Sequence, residues 1–179
     1  MIWHKYKILF LHYGKCGGTS MRLAIKWGVL KKHGYKPEDP GFHRSFSDME
    51  NEISSMNLNI NDYFKFAVLR NPWDRLVSWY YHCIKHKKPY KDFEDFFYNE
   101  PRLKYKDWEK LDFHIKLEEM QEGYKELLNY IDLPKVNMPH FDHHGTRKTS
   151  DYRPFFNSEM IDIVHEENKD VINHFGYNF

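Results

Sequence analysis

Two short stretches hold residue types suited to gripping anions. In Gly14-Lys15-Cys16-Gly17-Gly18-Thr19-Ser20, adjacent glycines let the backbone close around a charged group, and Thr19 and Ser20 bring hydroxyl donors to the start of a following helix. A phosphate suits such a turn. Helix-start N–H groups and the helix dipole stabilise negative charge by about 0.3–1 kcal/mol per exposed contact, and Lys15 adds a mobile full charge. The second stretch runs from Arg70-Asn71-Pro72 to Ser78. An arginine fork binds phosphate through two parallel charge-assisted hydrogen bonds that a lysine cannot reproduce, so Arg70 and Ser78 could share one oxyanion.

The first loop is neither of the common nucleotide signatures. A GxxxxGK[ST] loop places its lysine after the glycines, whereas Lys15 precedes Gly17 and Gly18, and no GxGxxG is present. Taken alone, the loop is equally consistent with an ordinary strand-to-helix turn whose glycines relieve steric crowding. Taken alone, Arg70 and Arg75 read rather as ion pairing to Asp74 on a solvated face. Together, two anion-binding turns at two strand ends imply a ligand with two separated phosphate-like groups. A nucleotide phosphorylated at both ends of its ribose would serve.

The elements that position these residues follow from hydropathy. Residues 7–12 form a short apolar run cut off by Gly14, and 21–30 carry apolar residues at helical spacing. Residues 64–70 are a second apolar run. There Asn71 can cap a helix and Pro72 suits its first position, with Trp73, Leu76, Val77, Tyr80, Tyr81 and Ile84 on its apolar side. That spacing favours core packing of the aromatics. Residues 113–117 read as a third strand, followed by a helical face of Met120, Tyr124, Leu127, Leu128 and Ile131. A strand–helix pattern repeated three times predicts an α/β fold, a central parallel β-sheet flanked by helices, with ligands at the carboxyl ends of the strands. Residues 158–174 read as one last helix, with Ile161, Val164, Ile172 and Phe175 inward and Gly176 as its stop. Residues 85–110 read as a variable cover with a short helix near 93–98.

Composition narrows the classes. With 179 residues, 41% of them hydrophobic, the chain predicts a single domain over 1–179. A charged fraction of 30% and an aromatic fraction of 18% argue against disorder. The net charge of +1 supplies no global field to recruit nucleic acid or a membrane surface, so any anion site must be local. The solvated lysines 85, 87, 88 and 91 could attract an anionic glycan. Cys16 and Cys83 form no CxxC pair, which supports neither a disulfide framework nor a cysteine-rich zinc site and favours a reducing compartment. Residues 1–7 and the apolar run after them are too short for a secretory or membrane-spanning segment, predicting a soluble, cytoplasmic protein without stable membrane association.

The segments KILFLHYGKCGGTSM and FKFAVLRNPWDRLVSWYY resemble the 5′-phosphosulfate and 3′-phosphate motifs of sulfotransferases that use 3′-phosphoadenosine 5′-phosphosulfate (PAPS). The nearest flavour is the carbohydrate and heparan-sulfate 2-O-type group with its small microbial and viral-type relatives. The resemblance extends through GFHRSFSDMENEI, FHIKLEEMQEGYKELLNYI, HHGTRKTSDYRPFF and HFGYNF, and is weakest over residues 85–110. It implies a P-loop-like, three-layer α/β/α sulfotransferase fold, PAPS as donor, adenosine 3′,5′-bisphosphate as product and no metal requirement. The implied acceptor is a hydroxyl of a carbohydrate, a small molecule or an oligosaccharide. By position it assigns Lys15, Gly17, Gly18, Thr19 and Ser20 to the 5′-phosphosulfate, with Cys16 contributing through its backbone where relatives carry a small polar residue. It assigns Arg70 and Ser78 to the 3′-phosphate, and Arg147 and Lys148 to further donor contacts.

Sulfuryl transfer needs in-line placement and charge stabilisation, as phosphoryl transfer does. Lys15 is suited to follow charge onto the leaving phosphate. A sugar hydroxyl is a weak nucleophile, and a histidine can take its proton near neutral pH. His43, in the resembling FHRSF segment, is the leading candidate, with His12, His140, His143 and His144 as alternatives. A metal held by His140, His143 and His144 with Asp142 lacks a helical pattern or a distant third ligand. Two rival readings are a small nucleotide kinase or phosphohydrolase, which would need magnesium and a lysine after the glycines, and a non-catalytic nucleotide-binding module.

Overall fold

The structure, a computed structural model, describes residues 1–34, 44–138 and 150–179. The chain forms two compact units, Met1–Leu69 with Asp107–Phe141, and Arg70–Lys106 with Asp142–Phe179. Four strands, β1 (Ile2–Trp3), β2 (Ile8–Leu11), β3 (Phe64–Leu69) and β4 (Phe113–Lys116), lie side by side in that order. The α-helices are α1 (Gly18–His33), α2 (Phe46–Ser55), α3 (Pro72–Lys85), α4 (Phe93–Asn99), α5 (Met120–Leu127), α6 (Ser158–Glu167) and α7 (Lys169–Phe175). The protein is α/β, with a mostly parallel sheet.

The sheet, α1, α2 and α5 belong to the first unit. β2 pairs in parallel with β3, and β3 with β4, so the three expected strands end at the same edge of the sheet. Register places Phe10 opposite Phe66 and Phe66 opposite Phe113, and the Phe10 and Phe66 rings stack at 4.8 Å. Leu9, Phe10, Phe66, Ala67 and Leu69 are fully buried, as expected of parallel strands. A fourth strand was not expected. β1 runs antiparallel to β2, entered from a one-turn helix that Lys7 closes in the left-handed region (φ 50°), and its Ile2 and Trp3 are buried. α2 is also additional. Its signal is the Ser45-x-x-Asp48 capping box, in which each side chain bonds the other residue's backbone N–H.

In the second unit, α3 begins as its sequence predicts. The Asn71 side chain accepts hydrogen bonds from the N–H groups of Trp73 and Asp74, and Pro72 occupies the first turn. Trp73, Leu76 and Val77 are buried, while Tyr80 and Tyr81 pack against Phe155, so the aromatic helix is chiefly core. α4 occupies the segment where a short helix was expected. The last helix is broken into α6 and α7 at Asn168, whose side-chain amide donates to the Val164 carbonyl at 2.9 Å and competes with helix continuation. Of the residues expected inward, Val164 and Ile172 are buried, and Ile161 and Phe175 are half-buried. Gly176 (φ 65°) caps α7 in the left-handed conformation that glycine adopts freely. Among the described residues no helix is long and apolar enough to cross a membrane.

Candidate functional site

The first candidate loop lies between β2 and α1, at the carboxyl edge of the sheet. Lys15 (φ 67°) and Gly17 (φ 70°) both take the left-handed conformation on either side of Cys16, which is buried and directs its thiol to the Gly14 carbonyl at 3.6 Å. For a lysine this conformation is strained by about 1 kcal/mol or more, and strain of this kind collects at functional turns. Left-handed residues also aim backbone N–H groups into an anion-binding concavity. Lys15, Thr19 and Ser20 are half-buried at its rim.

The two glycines do steric work as well. A Cβ on Gly17 would stand 2.6 Å from Leu117 and 2.8 Å from Met120, and one on Gly18 would stand 1.9 Å from the His12 ring. Relief of steric crowding, one of the two readings open from sequence, therefore applies to this loop and lets its backbone come close to its neighbours. His12, one residue past β2, stacks on Phe10 at 5.7 Å and packs against the first residue of α1.

Helix starts separate this loop from the others. Side chains cap α2, α3, α4 and α6, namely Ser45, Asn71, Asp92 and Asn157. α5 and α7 have no such cap, and each runs on from a preceding helical segment. α1 starts from Gly17, which has no side chain to offer its first-turn N–H groups. A phosphate or sulfate oxygen fits that role.

The second stretch belongs to the other unit. Arg70 directly follows β3 and is half-buried, its Nε donating to Asp74 Oδ2 at 2.7 Å. Its backbone is held by Tyr105, whose hydroxyl donates to the Arg70 carbonyl at 2.6 Å and accepts from the Arg70 N–H at 3.3 Å. Tyr105 lies in the segment least matched by the resemblance, and no periodicity marks it. Ser78 is half-buried on α3, one turn beyond Asp74 on the same side. The expected Arg70–Asp74 pair is present but partly sheltered, with side chains 14% and 18% exposed. Arg75 is buried, donating to the Leu103 carbonyl at 3.1 Å with its guanidinium 4.0 Å from the Tyr105 ring centre. Asn71 donates to the Asn178 carbonyl at 2.8 Å, tying this turn to the 176–179 segment.

His43, His140, Asp142, His143, His144, Arg147 and Lys148 lie outside the described residues. Arg44, next to His43, is described. It pairs with Glu52, whose other oxygen accepts from or pairs with His4 Nε2 at 2.9 Å, and His4 Nδ1 meets the Tyr63 hydroxyl at 2.7 Å. Burial pushes the Glu52 carboxyl up, but hydrogen bonds from His4 and Arg44 outweigh it and hold the group below its ordinary value.

The family model for sulfotransferases matches residues 1–171, nearly the whole chain. The protein belongs to the sulfotransferase family. No curated protein and no solved structure matches it. As a sulfotransferase it is a transferase of sulfuryl groups, in a family that generally uses PAPS as donor. In this sulfotransferase α1 starts without a side-chain cap, directly after a turn with Lys15 and Gly17 in the left-handed conformation.

Proposed function

We propose that this sulfotransferase transfers the sulfuryl group of PAPS to a hydroxyl of a carbohydrate, releasing adenosine 3′,5′-bisphosphate. The observation that carries the reading is the β2–α1 loop, where a strained Lys15 and the side-chain-free start of α1 stand together in a family of sulfuryl transferases. Residues 15–20, Cys16 through its backbone, would take the 5′-phosphosulfate. Arg70 and Ser78 would take the 3′-phosphate, with Arg147 and Lys148 adding donor contacts.

In the transfer, the acceptor oxygen forms a bond to sulfur while the sulfur–oxygen bond to the 5′-phosphate breaks. Lys15 and the first-turn N–H groups of α1 stabilise the electron pair that departs on the phosphate oxygen. His43 receives the hydroxyl proton as general base. Arg70 anchors the far end of the nucleotide, which fixes the direction of approach.

Calorimetry tests the donor: adenosine 3′,5′-bisphosphate should bind and ATP with magnesium should not. The opposite preference would replace this reading with a nucleotide kinase or phosphohydrolase. A labelled-sulfate assay over a panel of sugars tests the acceptor, and nucleotide binding without transfer to any of them would leave a binding module. If His43→Ala kept wild-type turnover with intact nucleotide binding, the base would lie elsewhere.

A further inference from the structure

We propose that the last turn of α3 is a binding site for a divalent transition-metal ion, ligated by the imidazoles of His82 and His86. The two residues are four apart, His82 in the last turn of α3 and His86 at its C-terminal cap, a spacing that brings side chains onto one face of a helix. Their ring centres are 4.3 Å apart, with planes inclined at 50°. Imidazole nitrogens bind zinc at about 2.0–2.1 Å, so rings this close converge on one ion by side-chain rotation alone.

One ligand is already oriented. The Trp79 ring, one turn earlier, stacks on His82 at 5.1 Å and 17°, so less rotamer freedom remains to be lost when a metal binds. His86 is exposed at the end of the helix, which gives an ion access from solvent. The carbonyl end of a helix also favours positive charge. Cys83 lies between the two histidines in sequence but is buried, and it is not counted as a ligand.

The opposing term is the local lysines. Lys85 lies between the two histidines in sequence and Lys87 and Lys88 follow them, and the Lys88 ammonium is 5.7 Å from the Trp79 ring centre. Lys88 is paired with Glu100 at 2.7 Å, and exposed charges are screened by salt, so this repulsion weakens the site without abolishing it. Imidazole ligation selects copper, zinc or nickel over magnesium or calcium. Among the described residues no group of three or more metal-ligating side chains gathers. The site is therefore a two-histidine chelate that leaves the remaining coordination positions to water. It makes no use of the donor loop and stands independently of the proposed acceptor.

The test uses the full chain without a histidine tag. Calorimetry with Zn²⁺ should show one site that His86→Gln weakens by at least about tenfold, with His82→Gln behaving alike; a tenfold change corresponds to about 1.4 kcal/mol. Cu²⁺, a paramagnetic quencher, should dim the fluorescence of Trp79, and that quenching should be lost in His86→Gln. Trp79→Phe should remove the same component of quenching while retaining the Zn²⁺ heat. Other histidines contribute a background that survives in His86→Gln and is thereby subtracted. Unchanged Zn²⁺ affinity in both histidine variants, or a His86-dependent component of Cu²⁺ quenching that persists in Trp79→Phe, would overturn the proposal. So would the absence of any Zn²⁺ uptake.

Discussion

The Tyr105 hydroxyl closes on both backbone polar groups of Arg70, donating to its carbonyl at 2.6 Å and accepting from its N–H at 3.3 Å. Arg70 stands between the end of β3 and the start of α3, and one side chain bonds both polar groups of its backbone there. Because the guanidinium direction depends on that backbone, Tyr105→Phe should loosen the grip on a 3′-phosphate that is proposed for Arg70. A hydrogen bond contributes about 0.5–1.5 kcal/mol net, so affinity for adenosine 3′,5′-bisphosphate should fall by about two- to thirteenfold. Calorimetry against adenosine 5′-phosphate checks the assignment: the variant should lose its preference for the nucleotide bearing the 3′-phosphate. An equal loss for both nucleotides would place the effect elsewhere.

Lys15 sets stability against chemistry. Its left-handed backbone is one that glycine adopts without strain, so Lys15→Gly should raise the denaturant midpoint by an amount equivalent to about 1 kcal/mol. The same change removes the ammonium proposed to stabilise the leaving group. Loss of such a group lowers kcat by about 10²–10³, and Lys15→Ala should show the same fall in kcat with a much smaller change in nucleotide affinity. A Lys15→Ala enzyme with normal kcat and weakened binding would make the lysine a ground-state contact only.

The strand–loop–helix units of the β2–α1 loop and of Arg70 were legible because each is encoded locally. An apolar run, a glycine or Asn-Pro break and a helical stripe occur within about twenty residues, and β2, α1, β3 and α3 lie where those signals put them. β1 escaped because two residues carry no period, and it exists only by pairing with β2. The split at Asn168 escaped because hydrophobic spacing continues across it, while the break comes from one side-chain amide. Tyr105 shows the limit most clearly. Its role rests on a contact 35 residues away in sequence, which no local pattern records. In the same way the requirement for glycine at position 18 is set by the ring of His12, six residues earlier.

That last contact gives a double-mutant test. Gly18→Ala would drive a methyl group into the His12 imidazole, and overpacking of this kind destabilises by about 1–3 kcal/mol. Gly17→Ala meets flexible side-chain ends, but its left-handed backbone adds a separate penalty. If the ring of His12 is the obstacle, Gly18→Ala combined with His12→Ala should recover most of the loss, with a coupling of at least about 0.5 kcal/mol. Chemical denaturation of the four chains measures it. Additive losses would mean that the glycine is needed for something other than room beside His12.

Acid should remove a small contribution to stability at Glu52. Its carboxyl is held below the ordinary value of 4.5 by His4 and Arg44 against the opposing effect of burial. A carboxylate with a lowered folded pKa contributes stability that is fully present above its unfolded value, here about pH 4.5, and is lost as pH falls through the folded value. Glu52 is about one-third exposed, which limits the contribution to about 0.2–1 kcal/mol. Glu52→Gln should therefore be slightly less stable than wild type at pH 7 and should lose less on acidification below pH 4.5, so that the two stability curves converge. Denaturant midpoints taken at intervals from pH 7 downward check this. Curves that stay parallel through the acid range would show that the His4–Glu52–Arg44 contacts contribute no linkage.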